Sequence, residues 1–271
     1  MPTNFTPTVL TIAGFDPYGG AGIQVDCKTI HALGAYAFSV TTALTAQNSQ
    51  GVKSIQSTSS KIFREQLETL LNDVKVDAVK IGMLANTEII NTVVEIIYKY
   101  DLKNIILDTV LVSSSGKVLL ESDAIEVMEK ELFPRVDLIT PNLPEINTLL
   151  NTSYVGKKDE VTDIANAFFD KGVKAVLIKG GHSFDKHEAT DYLVTRALEV
   201  NSFTTQRVHT SHTHGTGCFL SSAIATYLAK GENLENSVAS AKDFLYQNLQ
   251  TASALNFNYV DANVIRKETI L

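Results

Sequence analysis

The chain predicts an α/β fold: a central, mostly parallel β-sheet covered by helices on both faces, with a small antiparallel edge element. Three observations carry this expectation. Short, almost continuously apolar runs such as Val9-Leu10-Thr11-Ile12-Ala13, Asn104-Ile105-Ile106-Leu107-Asp108 and Ala175-Val176-Leu177-Ile178-Lys179 suit strands buried on both faces. Stretches with helical apolar spacing separate these runs, and strands alternating with helices imply parallel pairing through crossovers. Near residue 190 the rhythm changes, and two alternating segments follow one another without a helix between them.

Taken in order, Val9 to Ala13 is a strand ending at Gly14, and Ile23 to Leu33 is a helix stopped by Gly34. Ala37 to Thr41 is a second strand, Ile62 to Val74 an amphipathic helix, and Asp77 to Ile81 a strand closed by Gly82. A helix over Glu88 to Tyr98, the strand Asn104 to Asp108, a helix over Asp123 to Leu132 and the strand Val136 to Ile139 continue the alternation. Helices Glu145 to Leu150 and Val161 to Phe169 precede the strand Ala175 to Lys179. Ala189 to Thr195 and Glu199 to Gln206 form the antiparallel edge, and helices Gly217 to Ala229 and Leu234 to Leu249 complete the core. No Pro/Gly/Ser-rich linker or fixed-period repeat divides the 271 residues, so one domain over 1–271 is expected.

Composition narrows the function. A net charge of -7 argues against wrapping nucleic acid, which needs a basic face. No apolar segment approaches the roughly 20 residues that span a bilayer. Two cysteines, Cys27 and Cys218, offer no disulfide framework, and Met1 to Pro7 lacks the basic and apolar regions of a secretory leader. A reduced, cytoplasmic location is the expectation.

In open α/β sheets, ligands sit beyond the carboxyl ends of the strands. The segments there are Gly14 to Gly22, Gly82-Met83, Asp108-Thr109-Val110, Asn142 to Glu145 and Lys179 to His182, and each carries a Gly, a carboxylate, a carboxamide or a cation. His214-Gly215-Thr216-Gly217-Cys218 precedes an apolar helix and reads as an anion hole. Its glycines let the backbone turn, and the unpaired N–H groups of the first helical turn, with the helix dipole, favour phosphate. Cys218 falls in that turn, where a lowered thiol pKa and an available thiolate are expected. A Gly-containing loop before a core helix with a small buried Cys is the plain alternative.

Asp108 and Glu145 could hold a hydrated Mg²⁺, with Asn142 orienting that shell and Lys179 neutralising phosphate charge. Each has an ordinary alternative: Asp108 capping a turn, Lys179 in an exposed turn, and Asn142-Leu143-Pro144-Glu145 as a helix N-cap with Pro and Glu in the first turn. Asp26, one helical turn into the first helix, is a hydrogen-bonding carboxylate for a ligand or simply a partner for the dipole. The first glycine loop is not a dinucleotide fingerprint, because Val25 stands at the third glycine position and no acidic residue lies between Asp26 and Glu65. A P-loop is absent as well. His209, His212 and His214 could bind a catalytic zinc, although strand geometry puts His209 on the opposite face from the other two.

Several ordered motifs together resemble the hydroxymethylpyrimidine/phosphomethylpyrimidine kinases of thiamine biosynthesis. They are Thr11-Ile12-Ala13-Gly14-Phe15-Asp16-Pro17 with Gly19 to Gln24, Thr42 to Asn48, Lys80-Ile81-Gly82-Met83-Leu84, Leu107 to Val110, Ile139 to Glu145, Lys179 to His182 and Thr213 to Cys218. The similarity covers about residues 8–255. It implies a ribokinase-like fold, usually dimeric, and ATP-dependent phosphorylation of the pyrimidine hydroxymethyl group and then of the monophosphate. By carry-over, Gly14, Ala21, Asp26, Gln47, Met83 and Val110 line the pyrimidine pocket, with Gln47 and Asp26 reading its polar edge. Asp108, Asn142 and Glu145 arrange Mg²⁺ and phosphates, Lys179 contacts the transferring phosphate, and Gly215, Thr216, Gly217 and Cys218 form the anion hole. Departures from the family pattern are Phe219 where Ser or Thr is common, Ser114 where Lys is common, and His212 in place of Asn. Beside a metallohydrolase built on His209, His212 and His214, two alternatives stay open. Pyridoxal kinases share the fold, and a catalytically silent pyrimidine-binding sensor would keep the pocket while losing Asp108, Lys179 or Cys218, all of which are present.

Overall fold

The computed structural model describes residues 6–113, 116–182, 186–208, 210 and 213–252. Strand β1 (Thr8–Phe15) leads into α1 (Gly22–Ala32), β2 (Tyr36–Asn48) turns back as β3 (Gly51–Ser57), and α2 (Ser60–Asp73) returns to β4 (Ala78–Ile81). Then come α3 (Thr87–Lys99), β5 (Ile105–Leu107), α4 (Ser122–Val127), β6 (Leu138–Ile139), α5 (Leu143–Leu150), α6 (Val161–Asp170) and β7 (Ala175–Ile178). The hairpin β8 (Glu188–Thr195) and β9 (Val200–Gln206) precedes α7 (Thr216–Ala229) and α8 (Leu234–Gln250).

The strands form one sheet of order β3-β2-β1-β4-β5-β6-β7-β8-β9. Pairing is parallel across β2-β1-β4-β5-β6-β7 and antiparallel at both edges, β2 with β3, β7 with β8, and β8 with β9. Because successive strand side chains point to opposite faces, each central strand feeds two cores. Leu10, Ile12, Val79, Ile81, Ile105, Leu107, Val176 and Ile178 pack with residues of α2 to α6. Val9, Ala78, Ile106, Leu138, Ala175 and Leu177 pack with α1, α7 and α8. This double burial is why the central runs are apolar at nearly every position.

Two elements depart from the sequence expectation. β2 continues to Asn48 and pairs with β3, which the apolar pattern does not reveal: Val52, Ser54 and Gln56 alternate with Lys53, Ile55 and Ser57, so neither face is consistently apolar. An edge strand left half in solvent needs no such face, and its register comes from the β2 ladder. The helix expected over Asp123 to Leu132 ends at Val127, winds as a π-helical turn over Met128–Leu132 and closes with a 3₁₀ turn over Phe133–Arg135. Phe133 itself keeps a right-handed helical backbone, and Pro134, which has no N–H to donate, cannot continue the hydrogen-bond ladder, so the helix closes there.

Candidate active site

Parallel pairing brings the carboxyl ends of β1, β4, β5, β6 and β7 to one edge of the sheet, and the segments that follow them wall a cavity of about 650 Å³. Its lining includes Gly14, Ala21, Gln47, Met83, Asp108, Val110, Asn142, Glu145, Lys179 and the whole stretch Gly215, Thr216, Gly217 and Cys218. Residues more than 200 positions apart in sequence thus share one chamber.

The anion hole is built by α7. Gly215 is its N-cap at φ 85, and a Cβ there would stand 2.0 Å from the Gly20 carbonyl oxygen, so only glycine fits between the two loops. Among the described residues no group accepts from the N–H of Gly217 or Cys218, which leaves these first-turn donors for a ligand. Opposite them stand Asp108 and Lys179, with Lys179 Nζ donating to Asp108 Oδ1 at 3.0 Å. A Cβ on Gly217 would lie 3.3 Å from Asp108 Oδ2 and 3.4 Å from Lys179 Nζ, so the ion pair sits directly against the loop backbone. Burial works against charge on both partners. Their mutual attraction overcomes it, holding the Asp108 carboxyl below and the Lys179 ammonium above their ordinary values.

Asn142 and Glu145 form a reciprocal cap at the start of α5. Asn142 Oδ1 accepts from the Glu145 N–H at 2.9 Å, and Glu145 Oε2 accepts from the Asn142 N–H at 2.8 Å and from Thr109 Oγ1 at 3.1 Å. The N-cap reading is therefore correct, and it coexists with a place on the cavity wall. Burial, reinforced by the Asp108 charge against the opposing pull of Lys179, pushes the Glu145 carboxyl up to about 7.

Two expectations need correction. Cys218 lines the cavity, half-buried, but its thiol is not a ready thiolate. Burial, with help from the Asp26 and Asp108 charges, pushes its pKa up to about 11 despite the Lys80 ammonium and a hydrogen bond from the Gly22 N–H. Desolvation outweighs the helix terminus here. Asp26 does not line the cavity. It is fully buried behind the wall, where Lys80 Nζ donates to both its oxygens at 2.9 and 2.8 Å, Thr11 Oγ1 at 2.5 Å and Ser222 Oγ at 2.8 Å. With both oxygens engaged, it joins β1, β4, α1 and α7 instead of reading a ligand edge.

Gln47, also on the cavity wall, lies 3.2 Å from His214 (Nε2 to Nε2) and accepts from Thr45 Oγ1 at 3.2 Å. Asp16 was passed over as a site residue by sequence reasoning. It lines the cavity, gathers the N–H groups of Tyr18, Gly20 and Ala21, and stands 3.6 Å from His214 Nε2. Burial opposes its charge, yet these hydrogen bonds hold it below the usual carboxylate range. The Asp-Pro pair ahead of two glycines carried the turn signal that identifies it. Lys80, Asp191, Arg207 and Lys242 were also missed, and the last three line the cavity. His209, His212 and Ser114 lie outside the described residues, and no cluster of three or more metal-binding side chains occurs among the described ones. No described helix is long and apolar enough to cross a membrane.

The family described as phosphomethylpyrimidine kinase matches residues 16–263. The hydroxymethylpyrimidine/phosphomethylpyrimidine kinase of Escherichia coli (strain K12) is 43% identical over 250 residues, covering 92% of this chain and 93% of that protein. A crystal structure of phosphomethylpyrimidine kinase from Clostridium difficile superposes with a TM-score of 0.78 at 38% identity, over 89% of this chain and 99% of that one. Staphylococcus aureus pyridoxal kinase in complex with AMP-PCP and pyridoxal gives a TM-score of 0.87 at 30% identity, over 97% of this chain and 96% of that one. The shared architecture is the ribokinase-like α/β fold. By the extent of that match and the level of identity, the chain belongs to the phosphomethylpyrimidine kinase family.

Proposed function

We propose that this kinase transfers the γ-phosphoryl group of ATP to 4-amino-5-hydroxymethyl-2-methylpyrimidine, and then phosphorylates the monophosphate to the diphosphate for thiamine biosynthesis. The observation that carries the reading is the Asp108–Lys179 pair packed against the Gly217 backbone at the open N-terminus of α7, inside a cavity that also holds the Gln47 and Met83 end. Phosphoryl transfer asks mainly for in-line positioning and neutralisation of phosphate charge, and a lysine and open helix N–H groups within one cavity support the second of these directly.

Gly14, Ala21, Gln47, Met83 and Val110 enclose the pyrimidine, with the Gln47 carboxamide on its polar edge. The hydroxymethyl group then faces Cys218 and the first-turn N–H groups. The nucleotide occupies the remaining stretch, along Leu245, Tyr246 and Leu249 of α8, with its phosphates towards Lys179. Neither Asp108 Oδ2 nor Glu145 Oε1 takes part in a hydrogen bond among the described residues, so two hard carboxylate oxygens are available to a hydrated Mg²⁺. Bound there, Mg²⁺ would neutralise phosphate charge alongside Lys179, with Asn142 orienting its shell. Cys218 enters the reaction as a neutral thiol touching the acceptor hydroxyl, so its contribution is contact and positioning more than strong base catalysis.

The proposed assembly is a single-domain, cytoplasmic homodimer. Unpaired Cys27 and Cys218 support a reducing compartment. Exposed Phe15 and Leu44, register partners on β1 and β2, supply apolar contact surface. Sedimentation tests the dimer: a monomer at micromolar concentration would remove it.

Mass spectrometry of parallel reactions with ATP and Mg²⁺ tests the function. Hydroxymethylpyrimidine and its monophosphate are expected to be phosphorylated far more efficiently than pyridoxal. The pyridoxal kinase likeness in fold makes vitamin B6 salvage the second reading, and selective formation of pyridoxal phosphate would establish it. Pyrimidine binding without any product would point instead to a silent sensor.

A further inference from the structure

Lys179 enters the cavity from the end of β7, and its backbone is held on both sides. Its own N–H donates to the Pro141 carbonyl at 3.0 Å. The next N–H, of Gly180, donates to Asp191 Oδ1 of β8 at 2.7 Å, and the other Asp191 oxygen accepts from Lys242 Nζ of α8 at 2.7 Å. Only 5% of the Asp191 side chain and 9% of the Lys242 side chain are exposed, and both residues lie on the cavity wall. Gly180 makes the approach possible, because a Cβ there would fall 1.9 Å from the Thr190 carbonyl oxygen. One carboxylate therefore ties together the loop after β7, strand β8 and helix α8.

A buried ion pair contributes little net stability, since desolvation offsets the attraction, and two apolar side chains of similar size often serve as well. What apolar side chains cannot supply is a fixed acceptor for the Gly180 N–H. We infer that Asp191 is a positioning residue for phosphoryl transfer. It anchors Gly180 so that the neighbouring Lys179 ammonium stays on Asp108 and against Gly217, and Lys242 holds the Asp191 carboxylate in the required orientation. The inference rests on the kinase reading above. A misplacement of the order of 1 Å at a phosphate-contacting group costs rate more than ground-state binding.

Two double variants isolate the acceptor. D191N/K242M and D191L/K242M both remove the buried charges and are close in size; the first keeps an amide oxygen for the Gly180 N–H, and the second offers it no acceptor. D191L/K242M is expected to fall about tenfold or more below D191N/K242M in kcat, with the pyrimidine KM and the Tm of the two variants alike. Equal kcat in the two folded variants overturns the inference while leaving the kinase reading intact. A parent chain with no phosphoryl transfer overturns that reading, and the inference with it. Hydrogen exchange of the Gly180 amide in the parent chain gives a second readout that needs no variant. Protection of about 100-fold over an open loop amide supports the anchor, and exchange at the open-loop rate overturns it.

Discussion

At Glu145 two demands meet in one side chain, because the carboxylate that caps α5 also carries a pKa pushed up to about 7. Its unfolded value is the ordinary 4.5, so between 4.5 and about 7 the folded chain keeps a proton that the unfolded chain has released. Stability therefore falls across that window as pH rises. E145Q keeps the capping box, which accepts Gln as well as Glu, and removes the charge. In thermal melts without divalent cation, E145Q is expected to match the parent near pH 4.5 and to exceed it above pH 7. A constant difference across that range would contradict the buried, charge-crowded environment. Cys218 allows a parallel test. With its thiol pKa near 11, alkylation by iodoacetamide should accelerate with pH well beyond neutrality, read on the Cys218 peptide by mass spectrometry. C218A should lower kcat by about 100-fold with little change in pyrimidine KM. Unchanged turnover would remove Cys218 from the reaction.

Among the elements, the Lys80–Asp26 pair shows how the site is held from behind. Thr11, Asp26, Lys80 and Ser222 lie on β1, α1, β4 and α7, the elements that carry Gly14, Ala21, Met83 and Cys218 on or beside their ends. Both charged side chains are fully buried. K80M strands the Asp26 carboxylate and should cost about 3–5 kcal/mol in urea denaturation. K80M/D26L removes both charges and should recover much of that loss. A K80M variant as stable as the parent would show that the pair carries no such energy. The contrast with Asp191 lies in placement: Asp26 stands behind the wall, whereas Asp191 forms part of it.

For the whole molecule, one sheet joining the nine strands of the described residues, with a core on each face, predicts that the chain unfolds as a unit. A calorimetric scan should show a single transition. Because the cavity is walled by segments from β1 to α8, ligand binding engages most of the sheet. A non-hydrolysable ATP analogue at about 100 times its Kd should stabilise the fold by about 2.7 kcal/mol. Two separable transitions, only one of them moved by nucleotide, would contradict the single-domain proposal.

Apolar runs alternating with amphipathic stretches were enough to place every central strand and nearly every helix, because double burial writes itself into composition at each position. β3 escaped, since a half-solvated edge strand takes its register from a neighbour and carries no pattern of its own. Local chemistry was legible wherever it depends on short range, as in the glycine-bounded start of α7 and the Asn142–Glu145 cap. Partners and solvation were not. Whether Asp26 faces a ligand or Lys80, whether Cys218 is a thiol or a thiolate, and which cation orients Asp191 all depend on groups 50 to 200 residues away. Charge energetics follow from the surrounding burial and opposing charges, and only packing of the folded chain brings those together.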